Sequence, residues 1–227
     1  MSDQTLLDSP AAREAGGPRR GRPIALSDEC RRAALLDAAR ATFYRVGYGP
    51  ATMSEIAAAA GMSKKTLYQV FPSKAALVHE LVRRDCQCPD DALLEGCDRA
   101  TPEEVLTHYV SLVAELVLSP RAIAMQRLVI GEALREPELT AIFSREIMEK
   151  APESLVAWLD RQKAAGLMQF DNANEAVDMI FGLTLSSFHW RILLGGALSL
   201  DAGLLKSRIE QGVRTFLALV RYECAHE

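Results

Sequence analysis

The residues whose chemistry stands out lie in a short basic segment in the first third of the chain. Lys64, Lys65 and Thr66 follow one another directly, and Tyr68 comes one helical turn after the first of them. Ammonium and hydroxyl groups can donate hydrogen bonds to phosphates and to base edges. A helix whose first turn is rich in such donors is typical of one that enters the major groove of DNA. The segment therefore predicts contact with double-stranded DNA.

A helix-turn-helix unit would hold these side chains in place. Ser63 has the side chain and the position of an N-cap for the basic helix. The helix before it begins at a capping box formed by Thr52 and Glu55, and Gly61 follows its end as a left-handed turn residue. Only residues 61–63 separate the two helices, which is the short Gly-containing turn that this motif requires.

One helix before this unit and one after it complete the predicted N-terminal domain. The first begins behind Ser27 and ends at Gly47. Apolar residues at helical spacing mark its inner face: Leu36, Ala39, Phe43 and Val46. The fourth helix begins at Ser73, directly after Pro72, and runs to about Asp85.

Charge is distributed unevenly along the chain. Between Arg19 and Lys74 there are ten Lys and Arg against four Asp and Glu, a net charge of +6, while the whole chain carries −4 and the remainder therefore −10. One end thus suits a polyanion and the other repels it. Arg19, Arg20 and Arg22 follow a tail, residues 1–18, that we expect to be disordered. Two roles for these arginines stay open, a minor-groove arm and a nonspecific phosphate tether.

The composition favours an all-α protein. The 227 residues are 49 % hydrophobic but only 6 % aromatic, and good helix formers recur throughout. We predict a DNA-binding domain over 19–85, a connector over 86–101 and a larger helical domain over 102–227. Two long helices, about 174–194 and 201–224, are expected to pair and to form a homodimer. The predicted interface residues are Val177, Phe188, Ile209, Val213, Phe216 and Val220.

Neither a secretory signal nor a membrane span is expected, so we predict a cytoplasmic protein. The most apolar stretch, residues 180–198, contains His189 and Arg191, and an Arg near the centre of a span costs about 2.5–3.5 kcal/mol.

Enzyme activity and a bound cofactor are not predicted. The acidic residues are not concentrated at one place, and neither a nucleophile elbow nor a phosphate-binding loop occurs. Cys86, Cys88 and Cys97 lie near His79 and His108 in the sequence, but a C-x-C pattern without a second pair is weak for zinc. We predict no metal site, and a redox role for these thiols stays open beside inert ones.

Residues 52–78, TMSEIAAAAGMSKKTLYQVFPSKAALV, resemble the DNA-binding domain of the TetR family of transcriptional regulators. The family places T-L-Y before F-x-x-K-x-x-L, and the matching residues are Thr66, Leu67, Tyr68, Phe71, Lys74 and Leu77. The resemblance covers roughly residues 27–82. It implies that Tyr68 sets its hydroxyl against the phosphate backbone while Leu67 and Phe71 face the core. Lys74, at the start of the fourth helix, is expected to clamp another phosphate.

The predicted DNA contacts are Arg19, Arg20, Arg22, Thr52, Ser63, Lys64, Lys65, Thr66, Tyr68 and Lys74. Alternative interpretations are a plain core position for Tyr68 and mere solvation for the two lysines of the basic helix.

In the second half, residues 125–139, 165–172 and 181–187 are similar to the C-terminal domain of AefR-like members of the family. This similarity implies ligand binding and dimerisation from about residue 101 onward. Candidate pocket residues are Met125, Phe143, Trp158, Phe181, His189 and Trp190, and the alternative for each is a place in the helical core. The predicted function is a DNA-binding transcriptional regulator, a homodimeric repressor that an unidentified small-molecule effector releases from operator DNA.

Overall fold

Side-chain caps set the start of each N-terminal helix. The computed structural model describes residues 27–85, 94, 100–195 and 201–220. Its first four helices are α1 (Asp28–Val46), α2 (Met53–Ala59), α3 (Lys64–Val70) and α4 (Lys74–Asp85). The four predicted caps are confirmed, with Oγ or Oγ1 accepting a hydrogen bond from the backbone N–H three residues on, at Ser27 (3.1 Å), Thr52 (3.2 Å), Ser63 (3.0 Å) and Ser73 (3.1 Å).

The turn between α2 and α3 depends on Gly61. Its φ of +65° lies in the left-handed region that favours glycine. The turn is closed by the N–H of Met62, which donates to the carbonyl of Ala57 at 2.9 Å. The predicted helix-turn-helix is therefore present, with α3 as its second helix.

The C-terminal half is also helical. Its elements are α5 (Pro102–Val117), α6 (Pro120–Glu132), α7 (Pro137–Phe143), a π-helical segment (Ser144–Lys150), α8 (Glu153–Ala164), α9 (Ala173–Thr184), α10 (Ser186–Leu193) and α11 (Ala202–Leu219). The described ranges contain no β-strand, so the predicted all-α class is confirmed. Within these ranges no helix is both long and apolar enough to cross a bilayer.

The predicted long helix over 174–194 is wrong, because the structure divides it at Leu185 into α9 and α10. Two hydroxyls flank the break and bond back to carbonyls one turn earlier. Thr184 Oγ1 donates to the Ile180 carbonyl and Ser186 Oγ to the Gly182 carbonyl, both at 2.7 Å. Such back-bonding competes with the helical ladder and bends a helix.

Two hydrophobic clusters hold the helices together. The first is built from α1 to α4, but α6 and α7 contribute to it through Ala122, Met125, Val129 and Leu139. The second joins α5 and α8 to α11, with Tyr109, Trp158 and Phe216 among its large buried side chains. Helices α6 and α7 therefore share the first cluster with the DNA-binding helices. The boundary at 86–101 stays a prediction.

Candidate functional site

Helix α3 presents a polar face outward because its apolar side chains are fixed inward. Leu67 is fully buried and Phe71 almost so, as the resemblance implied. Lys64 and Lys65 are exposed, and Tyr68 is 45 % exposed, so a core position for this tyrosine is excluded. Lys64 Nζ lies 5.7 Å from the centroid of the Tyr68 ring.

Gln69 on the same face is also exposed, and it was not among the contacts predicted from the sequence. Its spacing was a usable signal, because it follows Lys65 by four residues and therefore lies on the same side of the helix. A Gln amide can pair with an adenine edge as a Lys can with guanine.

Three of the predicted DNA contacts, Thr52, Ser63 and Thr66, make hydrogen bonds at the starts of α2 and α3. Thr52 shares a capping box with Glu55, whose carboxylate accepts from the Thr52 N–H at 2.9 Å. Ser63 caps α3, and its Oγ lies 2.8 Å from Thr66 Oγ1. These side chains fix the start and the orientation of α2 and α3. Their contact with DNA stays a prediction.

Lys74 points into the protein rather than outward. Its Nζ donates to the carbonyl oxygens of Tyr48 at 2.9 Å and of Gly49 at 2.8 Å, and it lies 4.7 Å from the centroid of the Tyr48 ring. Lys74 thus holds the loop between α1 and α2, and the expected phosphate clamp stays a prediction. Only one of its three N–H groups is left for a phosphate.

The same loop is held from the other side by α6. The N–H of Tyr48 donates to Glu132 Oε1 at 3.1 Å. Burial, with the nearby charges of Glu138 and Glu136, raises the pKa of Tyr48 to about 12. The loop before α2 therefore connects the helix-turn-helix physically to the C-terminal half.

The remaining candidates of the N-terminal region, Arg19, Arg20 and Arg22, lie outside the described residues, as do Cys86, Cys88 and Cys97. Their predicted roles stay predictions.

A cavity of about 320 Å³ lies between α5, α6, α7, the π-helical segment, α9 and α10. Its wall is mostly apolar, as is typical of sites for small organic ligands. Three of the six predicted pocket residues line it, namely Phe143, Phe181 and His189. The other three do not: Met125 is buried in the first cluster, Trp158 in the second, and Trp190 is 58 % exposed.

The polar groups of the cavity are few. His189 Nε2 is hydrogen-bonded to Gln126 Oε1, and burial lowers the pKa of His189. The imidazole is therefore neutral near pH 7, and because Nε2 donates to the amide oxygen, Nδ1 is left as an acceptor. Asp178 and Ser186 also line the cavity.

Gln126, Asp178 and Ser186 line the cavity but were not predicted from the sequence. Gln126 had a signal, since it is a polar side chain within the buried stripe of α6. Asp178 and Ser186 lie on exposed positions and had none.

The π-helical segment faces the cavity on one side and the DNA-binding helices on the other. Ile147 and Met148 line the cavity. Glu146 Oε1 lies 3.1 Å from His79 Nε2 on α4, and it also accepts from Lys150 at 3.0 Å and Arg145 at 3.3 Å. The hydrogen bond from Lys150 is the largest cause that lowers the pKa of Glu146 to about 2, with His79 and Arg145 adding to it.

The six predicted dimer-interface residues are all buried within one chain: Val177, Phe188, Ile209, Val213, Phe216 and Val220. Burial leaves none of them for direct contact with a second copy. The apolar side chains that do reach the surface of α9 to α11 are Met179, Trp190, Leu204 and Leu219, together with Leu194 just after α10.

Two family models match the chain. The model for bacterial regulatory proteins of the tetR family matches residues 35–81, and the model for the C-terminal domain of AefR-like transcriptional repressors matches residues 104–224. The second alone spans more than half of the chain.

Individual relatives agree with the family models. The HTH-type transcriptional activator FasR of Mycolicibacterium smegmatis is 46 % identical over 88 residues, 39 % of this chain. The match covers only 37 % of that relative's length. The solved structure of the flavonoid-responsive regulator FrrA is similar over 83 % of this chain and 96 % of its own, with a TM-score of 0.71 and 27 % identity. A TetR transcriptional regulator from Agrobacterium tumefaciens aligns over 86 % and 95 %, with a TM-score of 0.61 and 26 % identity.

The capped helix-turn-helix, the basic face of α3 and a C-terminal half that matches the AefR-like model therefore agree, and the chain belongs to the TetR family of DNA-binding transcriptional regulators.

Proposed function

We propose that this regulator binds a palindromic operator as a homodimer in the cytoplasm, represses transcription there, and is released when a small molecule occupies the cavity. The observation that carries the proposal is the outward face of α3. Four donor-bearing side chains stand exposed there on a helix whose start is capped and whose inner face is fixed by a buried leucine: Lys64, Lys65, Tyr68 and Gln69.

Within this face we assign base contacts to Lys65 and Gln69, because they lie four residues apart on one side of α3. Lys64 and Tyr68 are assigned to the phosphate backbone, which positions the helix without reading sequence. Selection of bound fragments from random DNA tests these roles. The wild type is expected to enrich a palindrome, since a symmetric dimer reads two equivalent half-sites.

Lys65→Ala is expected to relax one position of each half-site, with a loss of about 1–3 kcal/mol in discrimination. The matched control is Lys206→Ala, because Lys206 is an exposed lysine on α11. This variant should select the same consensus sequence as the wild type. A uniform loss of affinity for Lys65→Ala would reassign this residue to the backbone. No enrichment by the wild type would contradict sequence-specific operator binding.

The route from the cavity to DNA runs through the π-helical segment. A ligand that displaces Ile147 or Met148 moves the segment that holds α4 through the contact between Glu146 and His79. Helix α4 follows α3 directly, and its Lys74 holds the loop before α2. Two recognition helices must lie about 34–36 Å apart to meet successive major grooves. A shift of α4 in each subunit therefore weakens both contacts together.

Operator release by small molecules tests this route. Lipophilic and aromatic compounds form the screen, with flavonoids included because the similar regulator FrrA is described as flavonoid-responsive. A coupling free energy of about 1–3 kcal/mol would weaken operator binding about 5- to 150-fold. Phe181→Ala should reduce ligand affinity, whereas His79→Leu should leave ligand affinity unchanged and reduce release. Equal release by wild type and His79→Leu would place the route elsewhere.

A thiol switch is the competing explanation for any release. The Cys86→Ser, Cys88→Ser double variant is expected to respond like the wild type. If this variant loses the response while Phe181→Ala keeps it, release depends on the cysteines and not on the cavity.

We propose repression rather than activation because the C-terminal family model, which covers residues 104–224, describes AefR-like repressors. The relative named an activator matches a shorter part of the chain. A reporter placed behind the selected operator should be expressed more strongly when the regulator gene is deleted. Lower expression after deletion would make this protein an activator.

A further inference from the structure

The side of the cavity that α9 and α10 form carries polar side chains of one chemical kind. Asp178, Ser186 and His189 line it from α9 and α10. Ser186 Oγ gives its own hydrogen to the Gly182 carbonyl, and His189 gives its Nε2 hydrogen to Gln126. What these two side chains have left are acceptor lone pairs, and the carboxylate of Asp178 is an acceptor as well. This wall therefore matches a group that donates hydrogen bonds.

The side chains that the structure describes along the cavity offer no positive charge to an anion. Among the described residues that line it, none is Lys or Arg, and Asp178 is the single ionisable acid. The cations of the π-helical segment, Arg145 and Lys150, are directed to Glu146 Oε1. A carboxylate or phosphate head buried here would find no opposite charge, and a buried unpaired charge is strongly unfavourable.

From this wall, and resting on the proposed effector role of the cavity, we propose that the effector is a lipophilic amine. Its apolar body would fill the space beside Phe143 and Phe181, and its ammonium would donate to the acceptors on α9 and α10. Asp178 is exposed, so it lies at the solvent side of the cavity, where an ammonium can pair with it and keep part of its hydration.

Three probes of one carbon skeleton test the head group: 4-phenylbutylamine, 4-phenylbutan-1-ol and 4-phenylbutanoate, titrated calorimetrically into the full chain near pH 7. An alkylamine is charged at this pH, as a lysine is. The amine should bind about fivefold more tightly than the alcohol, the upper end for a solvent-exposed ion pair. The carboxylate should bind more weakly than both.

Asp178→Asn should bring the ratio of amine to alcohol affinity close to one while the alcohol still binds. Glu175→Gln is the matched control, because Glu175 is an exposed acid on the same helix that does not line the cavity. It should leave the ratio at the wild-type value. An unchanged ratio in Asp178→Asn would overturn the proposed role of this carboxylate.

A cavity-filling variant separates failure of the ligand class from failure of the site. Gly182 lines the cavity, and a Cβ added there would meet nothing within 4 Å, so Gly182→Phe is expected to fold and to block binding. If the carboxylate or the alcohol binds best and Gly182→Phe abolishes that binding, the amine is overturned and the effector cavity stands. If no probe binds, or binding persists in Gly182→Phe, both the amine and the cavity's effector role are overturned.

Discussion

At the scale of single residues, the lysines Lys65 on α3 and Lys74 on α4 have different roles. Lys65 is exposed on α3, whereas Lys74 is partly buried and donates to the carbonyls of Tyr48 and Gly49. Lys74→Met keeps the alkyl stem but removes the ammonium. Because hydrogen bonds to charged groups contribute about 1.5–3 kcal/mol, we expect the free energy of unfolding to fall by about that amount, measured by urea denaturation.

Lys65→Met is the control for this prediction. It should leave the urea midpoint unchanged and weaken operator binding. If Lys74→Met instead keeps full stability and lowers the salt dependence of DNA binding by about one counterion, the phosphate clamp expected from the sequence would be restored.

Glu146 makes stability depend on pH at the acid end. Its pKa falls from 4.5 to about 2 in the folded protein, chiefly through the hydrogen bond from Lys150. A folded pKa below the unfolded one means that the carboxylate stabilises the fold above about pH 4.5 and that this contribution is lost as the pH falls toward 2. Urea midpoints followed from about pH 5 to about pH 2 should therefore fall more steeply for the wild type than for Glu146→Gln. Parallel curves would show that the ion cluster is not formed in solution.

At the scale of elements, the contact between α9 and α11 depends on a residue without a side chain. A Cβ at Gly212 would lie 2.5 Å from Thr184 Cγ2 and 3.1 Å from the Leu183 carbonyl oxygen. Gly212→Ala is therefore expected to lower the free energy of unfolding by about 1–3 kcal/mol, as overpacked cores do.

The same substitution on α6 should have the opposite sign. A Cβ at Gly131 would meet nothing within 4 Å, and alanine restricts the unfolded chain and favours the helix. Gly131→Ala should thus stabilise by about 0.4–1 kcal/mol. Equal effects of the two substitutions in thermal or urea unfolding would contradict the close approach of α9 and α11.

At the scale of the whole molecule, the surface of the proposed dimer follows from the apolar side chains that one chain leaves exposed. On α11, Leu204 and Leu219 are fifteen residues apart and share one side of the helix with Arg208, Gln211 and Thr215. Met179 on α9, Trp190 on α10 and Leu194 just after α10 are exposed as well. We propose that these exposed apolar side chains pair with their copies in a second chain.

Trp190→Glu or Leu204→Glu should yield folded monomers in sedimentation, because a charge enters the interface while the core is untouched. Val213→Glu should unfold the protein instead, since Val213 is fully buried. If both surface variants remain folded dimers, the interface lies on another face. Folded monomers from Val213→Glu would return it to the stripe expected from the sequence.

The sequence by itself determined the features that depend on neighbours a few residues apart. A cap joins a side chain to an amide three residues away, so the starts of α1 to α4 followed from Ser27, Thr52, Ser63 and Ser73. A left-handed turn residue is favourably a glycine, so Gly61 indicated the turn between α2 and α3. The inward side of α3 followed from the apolar spacing of Leu67 and Phe71.

The tertiary structure alone decided which groups meet across the chain. An apolar stripe shows that a helix buries one face, but not whether the same chain or a second copy covers it, and so Val213 and Phe216 belong to the monomer core. A lysine at a helix start can donate hydrogen bonds to a phosphate or to a backbone carbonyl. Lys74 points inward because the loop between α1 and α2 places the Tyr48 carbonyl within its reach. The cavity is the space that six packed elements leave between them. Its walls therefore depend on long-range packing, which the spacing of residues along one helix does not contain.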